Sequence, residues 1–259
     1  LLPWLLIICI ASKRLSHKKL RTALNKFTRS LREMNSLTKL LLIISIVLLL
    51  AYVAMLIIQP LLSSDFLAIW GLKAKQFYFH QSVYVDPELY RTIEGAKFYH
   101  VDYPPLYPLM GDVMYVLNNS VSETLMKIAS FILLVSGLTT LFGYLRQKME
   151  QNKAFIFAFL FLGSPLFIPM LFVNKYLAYG DFPLTVLMML ATIFFLCSLS
   201  SKKYLHIVLA LAFASFAACT KNEGLPFLLL ISGLLVISNI RSFYPRNVSL
   251  FSSYKKVLL

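Results

Sequence analysis

Charge is what this chain has least of. Only 14% of its 259 residues are charged, against 59% apolar, and a soluble globule of that size cannot hide so many apolar side chains. Cysteine is scarce as well. Cys9, Cys197 and Cys219 all fall in apolar stretches, where a thiol behaves as a small hydrophobe, and this excludes a disulfide framework or a metal knot. A glycine-rich phosphate loop, a Ser-His-Asp order and a CxxC pair are absent, as are internal repeats, low-complexity tracts and the alternation of a barrel strand.

Long apolar runs are what the sequence does have. A hydrocarbon core of ~30 Å needs about 20 apolar residues per helix, and backbone groups in lipid must pair within their own segment. The expected fold class is therefore all-α, a polytopic transmembrane helix bundle of six or seven spans, forming one transmembrane domain over residues 1–259. Spans are expected at 40–62, 124–145, 154–173, 182–199, 204–220 and 225–240. The opening "LLPWLLIICIA" is shorter than a span, and positive charge follows its apolar core instead of preceding it, unlike a cleaved signal peptide.

Net charge is +14, and topology accounts for it without nucleic acid. Residues 13–36 are strongly basic, and this segment with the turns "RQKMEQNK", "SSKK" and "RSFYPR" is expected in the cytoplasm. Leu15, Leu20, Leu24, Phe27 and Leu31 recur at helical spacing, so the segment is either an amphipathic helix on the inner leaflet or a solvated basic loop. On this topology nine of the 11 acids face outward: Asp65, Asp86, Glu88, Glu94, Asp102, Asp112, Glu123, Asp181 and Glu223. Acids contribute little to orientation, so their sorting asks for another cause.

The long outer segment 63–123 holds seven of those nine acids and ten aromatics between Phe77 and Tyr115. Aromatic density of that kind suits the headgroup level and predicts interfacial helices there. Four polar sites stand at outer helix ends: "SSDFLAIWGLKAK", "HVDYPPLYPL", "NKYLAYGDFPL" and "CTKNEGLPF". Asp65 directly follows an apolar span, an edge at which partial desolvation makes a carboxylate a better proton acceptor. On a continuous α-helix Lys73 and Lys75 lie about 80° to either side of Asp65, so one lysine at most faces the same pocket squarely. Pro104 and Pro105 make a rigid corner able to hold His100 and Asp102. Capping alone accounts for Asp181, and Thr220 or Asn222 is available as a further cap, whereas Lys221 and Glu223 exceed what capping requires. His80, His100, Asp86 and Asp102 lack tight ligand spacing, so neither metal nor other cofactor is expected. "NNS" at Asn118 and "NVS" at Asn247 match glycosylation sequons, a pattern of low information.

In this order, "DFLAIWGLKAKQFY", "HVDYPPLYPL", "YGDFPL" and "TKNEGL" resemble the motifs of bacterial membrane glycosyltransferases of the GT-C class, related to protein O-mannosyltransferases and aminoarabinose transferases. The resemblance runs from about Ser63 to Leu230. It implies sugar transfer from a polyprenyl-phosphate donor to a hydroxyl of a glycan, lipid or protein, on the extracytoplasmic side of the bacterial inner membrane. It also implies Asp65 as general base, and it draws the phosphate-stabilising cation from Lys73, Lys75, Lys175 and Lys221. Trp70, His100, Asp102, Tyr103, Tyr179, Asp181, Asn222 and Glu223 would line the substrate pocket. Two departures stand out: Ser64 and Phe66 flank Asp65, where the family often has a second acid or a Trp, and family members run far longer. The competing expectations are a transporter or flippase for a lipid-linked substrate, which would place polar groups at mid-membrane in broken helices, and a non-catalytic assembly subunit.

Overall fold

The structure, a computed structural model, describes residues 25, 28–58, 65–83, 102–164, 179–201 and 203–243. All regular structure among them is helical: α1 Ser36–Ile58, α2 Gly71–His80, α3 Leu106–Asn118, α4 Glu123–Arg146, α5 Gln151–Leu162, α6 Asp181–Ser201, α7 Tyr204–Ala218 and α8 Gly224–Phe243. A π turn, Phe66–Trp70, leads into α2. Three of the helices are long and apolar enough to cross a membrane: Ser36–Met55 within α1, then α4 and α6. The apolar stretches Gln151–Leu162, Tyr204–Ala218 and Gly224–Ser238 are shorter. Of the span expected at 154–173, the helix ends at Leu162 and turns at Gly163; positions 165–178 lie outside the described residues.

Local chemistry sets the boundaries. Asn35 starts α1, its Oδ1 accepting the Thr38 amide at 2.8 Å as an N-cap does. Glu123 sits in the first turn of α4 and Arg146 in the last, each complementing the helix dipole. The proline corner feeds α3, which ends where Asn119 takes a left-handed φ of 52°, a conformation that asparagine tolerates.

One end of the bundle is basic. Lys148 Nζ donates to Ser200 Oγ at 3.1 Å, placing the α4–α5 and α6–α7 turns together. Residues 28–33 are helical and dock on the start of α5, with Gln151 Nε2 donating to the Ser30 carbonyl at 2.8 Å and Asn152 Oδ1 accepting the Asn35 amide at 3.2 Å. From there α1 runs to the opposite end.

Helix packing depends on small residues. Ala191, Ala210, Ala214 and Ala217 have no exposed surface where α6, α7 and α8 meet, so those backbones approach closely. By contrast α1 leaves Ile43, Val47, Leu50 and Ile57 bare, a surface suited to acyl chains and costly in water.

Gly137 marks the tightest crossing of α4 over α6, where a Cβ would stand 2.7 Å from Val186 Cγ1. Gly137→Ala is expected to lower stability by about 1–3 kcal/mol. Gly143→Ala, which meets nothing within 4 Å, should leave it unchanged or slightly raised. Thermal unfolding of both variants in detergent checks the pair.

Candidate functional site

Asp65 opens the helical segment that continues through the π turn into α2. The Gly71 amide donates to the Phe66 carbonyl five residues back, and the buried Phe66 ring fills the space a side chain at residue 71 would need, with a Cβ only 2.5 Å from Cζ. A π turn advances each residue by less than the ~100° of an α-helix. The turn therefore swings Lys73 toward the Asp65 side and Lys75 away from it, a phase shift that the even spacing assumed from sequence does not contain.

The two lysines part accordingly. Lys73 is 3% exposed and its Nζ donates to the Tyr103 carbonyl at 3.2 Å. Burial lowers its pKa to about 8, with the nearby Asp102 carboxylate pulling the other way. Lys75 reaches instead to Glu123 Oε1 at 3.6 Å. The half-buried Asp65 carboxylate makes no hydrogen bond or ion pair with another described residue.

Trp70 joins the pieces. Its indole lies flat on Tyr103, centroids 5.3 Å apart and planes 4° apart, and meets Tyr107 edge-on at 5.8 Å. Gly180 packs on it so closely that a Cβ would come within 2.7 Å of Cζ2. Trp70 is thus an internal strut at 1% exposure, and its buried Nε1 has no partner among the described residues.

The corner Asp102–Pro105 is fastened at both ends to the turn between α7 and α8. The Leu106 amide donates to the Cys219 carbonyl at 2.9 Å, and Asn222 Nδ2 donates to Asp102 Oδ2 at 3.3 Å. Lys221 donates to Asp181 Oδ1 at 2.8 Å and lies 3.1 Å from Glu223 Oε1. Burial works against its charge, but the hydrogen bonds to Asp181 and Glu223 outweigh it and raise the pKa. The carboxylate read from sequence as a cap is thus one arm of a lysine clamp. Thr220, the alternative cap, donates back to the Phe216 carbonyl. The Tyr179 carbonyl accepts the Phe182 amide at the start of α6.

Of the residues expected from sequence, Asp65, Trp70, Lys73, Asp102, Tyr103, Tyr179, Asp181, Lys221, Asn222 and Glu223 all lie at the end opposite the basic turns. Lys75 is turned to α4, and His100 and Lys175 lie outside the described residues. Tyr107, Gly180 and Glu123 were not anticipated as site residues. Tyr107 stands four residues beyond Tyr103, a spacing that hints at a shared face. Glu123 carries no local signal, because only the α2–α4 approach gives it Lys75. Lys127, 3% exposed, sits one turn beyond Glu123 and feels its charge.

Among the described residues no group of three or more His, Cys, Asp or Glu side chains could hold a metal ion. Two apolar cavities lie apart from the polar cluster: about 200 Å³ between α1, α4 and α5, and about 420 Å³ between α3 and α4. Neither is lined by Asp65 or Lys73, so the chemistry is sought at the charged helix ends. No protein-family model, curated protein or solved structure matches the chain.

The arrangement offers one carboxylate uncommitted among the described groups, one buried amine nearby in sequence phase, and neutralised pairs around them. Gly180→Ala should push the indole out of its stack and lower stability by about 1–3 kcal/mol. In a Trp4→Phe background, where Trp70 is the sole tryptophan, its fluorescence should shift to the red; an unmoved spectrum and melting temperature would contradict the packing.

Proposed function

We propose that the chain is a multi-pass membrane glycosyltransferase that moves a sugar from a polyprenyl-phosphate donor to an acceptor hydroxyl. The observation that carries this reading is convergence. Four short polar motifs, separated by as much as 157 residues between Asp65 and Asn222, meet through a ring stack, a lysine clamp and two bonds between corner and turn. Solvated helix termini with no common task have no need to be tied to one another. The described polar clusters sit at the ends of the bundle, which favours chemistry at the membrane surface over a polar path through its middle.

In the proposed reaction the Asp65 carboxylate takes the proton of the acceptor hydroxyl. The oxygen attacks the anomeric carbon as the bond from that carbon to the phosphate oxygen breaks, inverting the configuration and releasing the polyprenyl phosphate. Negative charge grows on the departing phosphate, and a cation in a poorly hydrated site stabilises it more than in water. Of Lys73, Lys75 and Lys221, Lys73 is the most buried, and this shielding from water suits it best to that role. The site would face outward, with the basic turns in the cytoplasm.

Two measurements test the reading. Cys219 is exposed beside the corner; with Cys9 and Cys197 changed to serine, a membrane-impermeant maleimide should label it in intact cells, and labelling only after permeabilisation would reverse the topology. With a radiolabelled polyprenyl-phosphate sugar and reconstituted protein, Asp65→Asn should cut transfer by about 10²–10⁴-fold at unchanged melting temperature. Undiminished transfer would remove Asp65 as the base.

A further inference from the structure

We propose that the cavity between α1, α4 and α5 seats an acyl chain of an anionic phospholipid, whose headgroup rests on Lys39 and Arg146 at the basic end of the bundle. The site is remote from the polar cluster and does not depend on sugar transfer.

The cavity holds about 200 Å³, well above the ~15 Å³ that one water needs, yet its wall gives water little to bond. Leu42 and Leu49 of α1, Phe142 of α4, and Phe155 and Phe159 of α5 make up much of it. Its two hydroxyls spend their protons on their own helices. Ser45 Oγ donates to the Leu41 carbonyl at 2.8 Å, and Thr139 Oγ1 reaches the Val135 and Ser136 carbonyls at 2.8 and 3.0 Å. A cavity so lined takes an apolar occupant. Ile46, 48% exposed, and the exposed Thr139 both stand in the lining. The opening is therefore on the outside of the bundle, beside the bare Ile43 and Val47 of α1, where acyl chains are the surrounding medium.

The register of two cations makes the occupant a charged lipid. Lys39 precedes Leu42 by three residues on the face of α1 that lines the cavity, about 5 Å nearer the basic end. Arg146 follows Phe142 by four residues on α4, about 6 Å nearer the same end. Both side chains are exposed, and neither has a carboxylate partner among the described residues. By contrast Arg29 is paired with Glu33, Lys153 with Glu150, and Lys148 is turned to Ser200. The contact of Asn152 with the Asn35 amide fastens the start of α1 to α5, which fixes Lys39 at the basic mouth of the cavity. From Leu42 to Leu49 the apolar wall then runs about 10 Å along α1. Cations at headgroup level followed within one turn by an apolar slot repeat the order of a phospholipid, anionic head and then chain.

The test is native mass spectrometry of the full chain in detergent, mixed with equal amounts of a phosphatidylglycerol and a deuterated phosphatidylcholine of the same acyl chains. One lipid per chain should be retained, with phosphatidylglycerol favoured by about fivefold for each cation. Lys39→Gln and Arg146→Gln should each remove about a fivefold share of that preference, and together they should abolish it. Thr139→Phe, which fills the mouth of the cavity from an exposed position, should displace both lipids, and thermal unfolding verifies the fold of each variant. Equal retention of the two lipids, or a preference that survives the double substitution, overturns the proposal. Retention undiminished in Thr139→Phe removes the cavity as the seat of the chain, and equal competition by glycerol phosphate removes the lipid as the source of the anion. A dimer that retains no lipid and dissociates in Thr139→Phe assigns the groove to a second copy of the chain and overturns the proposal as well.

Discussion

The stack of Trp70 on Tyr103, closed on another side by Gly180, is the contact on which the charged end of the molecule depends. It joins three stretches of chain that are remote in sequence: the π turn before α2, the proline corner before α3, and the start of α6. Aromatic pairing of this kind contributes about 0.5–1.5 kcal/mol beyond the area it buries. Its larger effect is geometric. With the indole fixed, the helix that carries it is fixed in rotation, and Lys73 three residues later must point at the corner.

Charge is distributed around that strut so that little is left uncompensated. Lys221 sits between two carboxylates, Lys75 meets Glu123, and Asp102 is held by an amide while it faces a buried amine. In a low-dielectric setting an unpaired charge is costly. Asp65 is the exception, with no partner among the described residues, which is the state that proton removal asks for; the ammonium of the buried Lys73 is favoured by Asp102 against the burial that opposes it.

The rest of the bundle serves as a frame. Alanine-lined contacts bring α6, α7 and α8 together, and α6 delivers Asp181 and Gly180 while the α7–α8 turn delivers Lys221 and Asn222. Because that turn also holds the proline corner, the position of α8 relative to α7 is passed on to the surroundings of Lys73. A change in helix packing far from the polar end can thus alter its electrostatics without touching a charged residue.

Much of this was legible from composition and pattern alone, and for a physical reason: hydrophobicity and charge are properties of each residue, and capping chemistry is local. Apolar runs marked the helices, the ends of α4 and α6 fell within a few residues of expectation, and the ordered polar motifs marked helix ends that the packing ties together. Other features depend on who meets whom. The expected span at 154–173 could not reveal the turn at Gly163, and among the described residues three helices have the length and apolarity to cross. Even helical spacing left Lys73 and Lys75 equivalent; only the π turn, made possible by the Phe66 ring lying over Gly71, separates them. The role of Trp70 as a buried strut, the sharing of Lys221 and the Asn222–Asp102 contact likewise follow from tertiary approach. The sequence by itself determined that this chain is helical, apolar and polar at its helix ends. Which of those polar groups neutralise one another, and which remain to act, was decided by the packing that brought distant segments within hydrogen-bonding range.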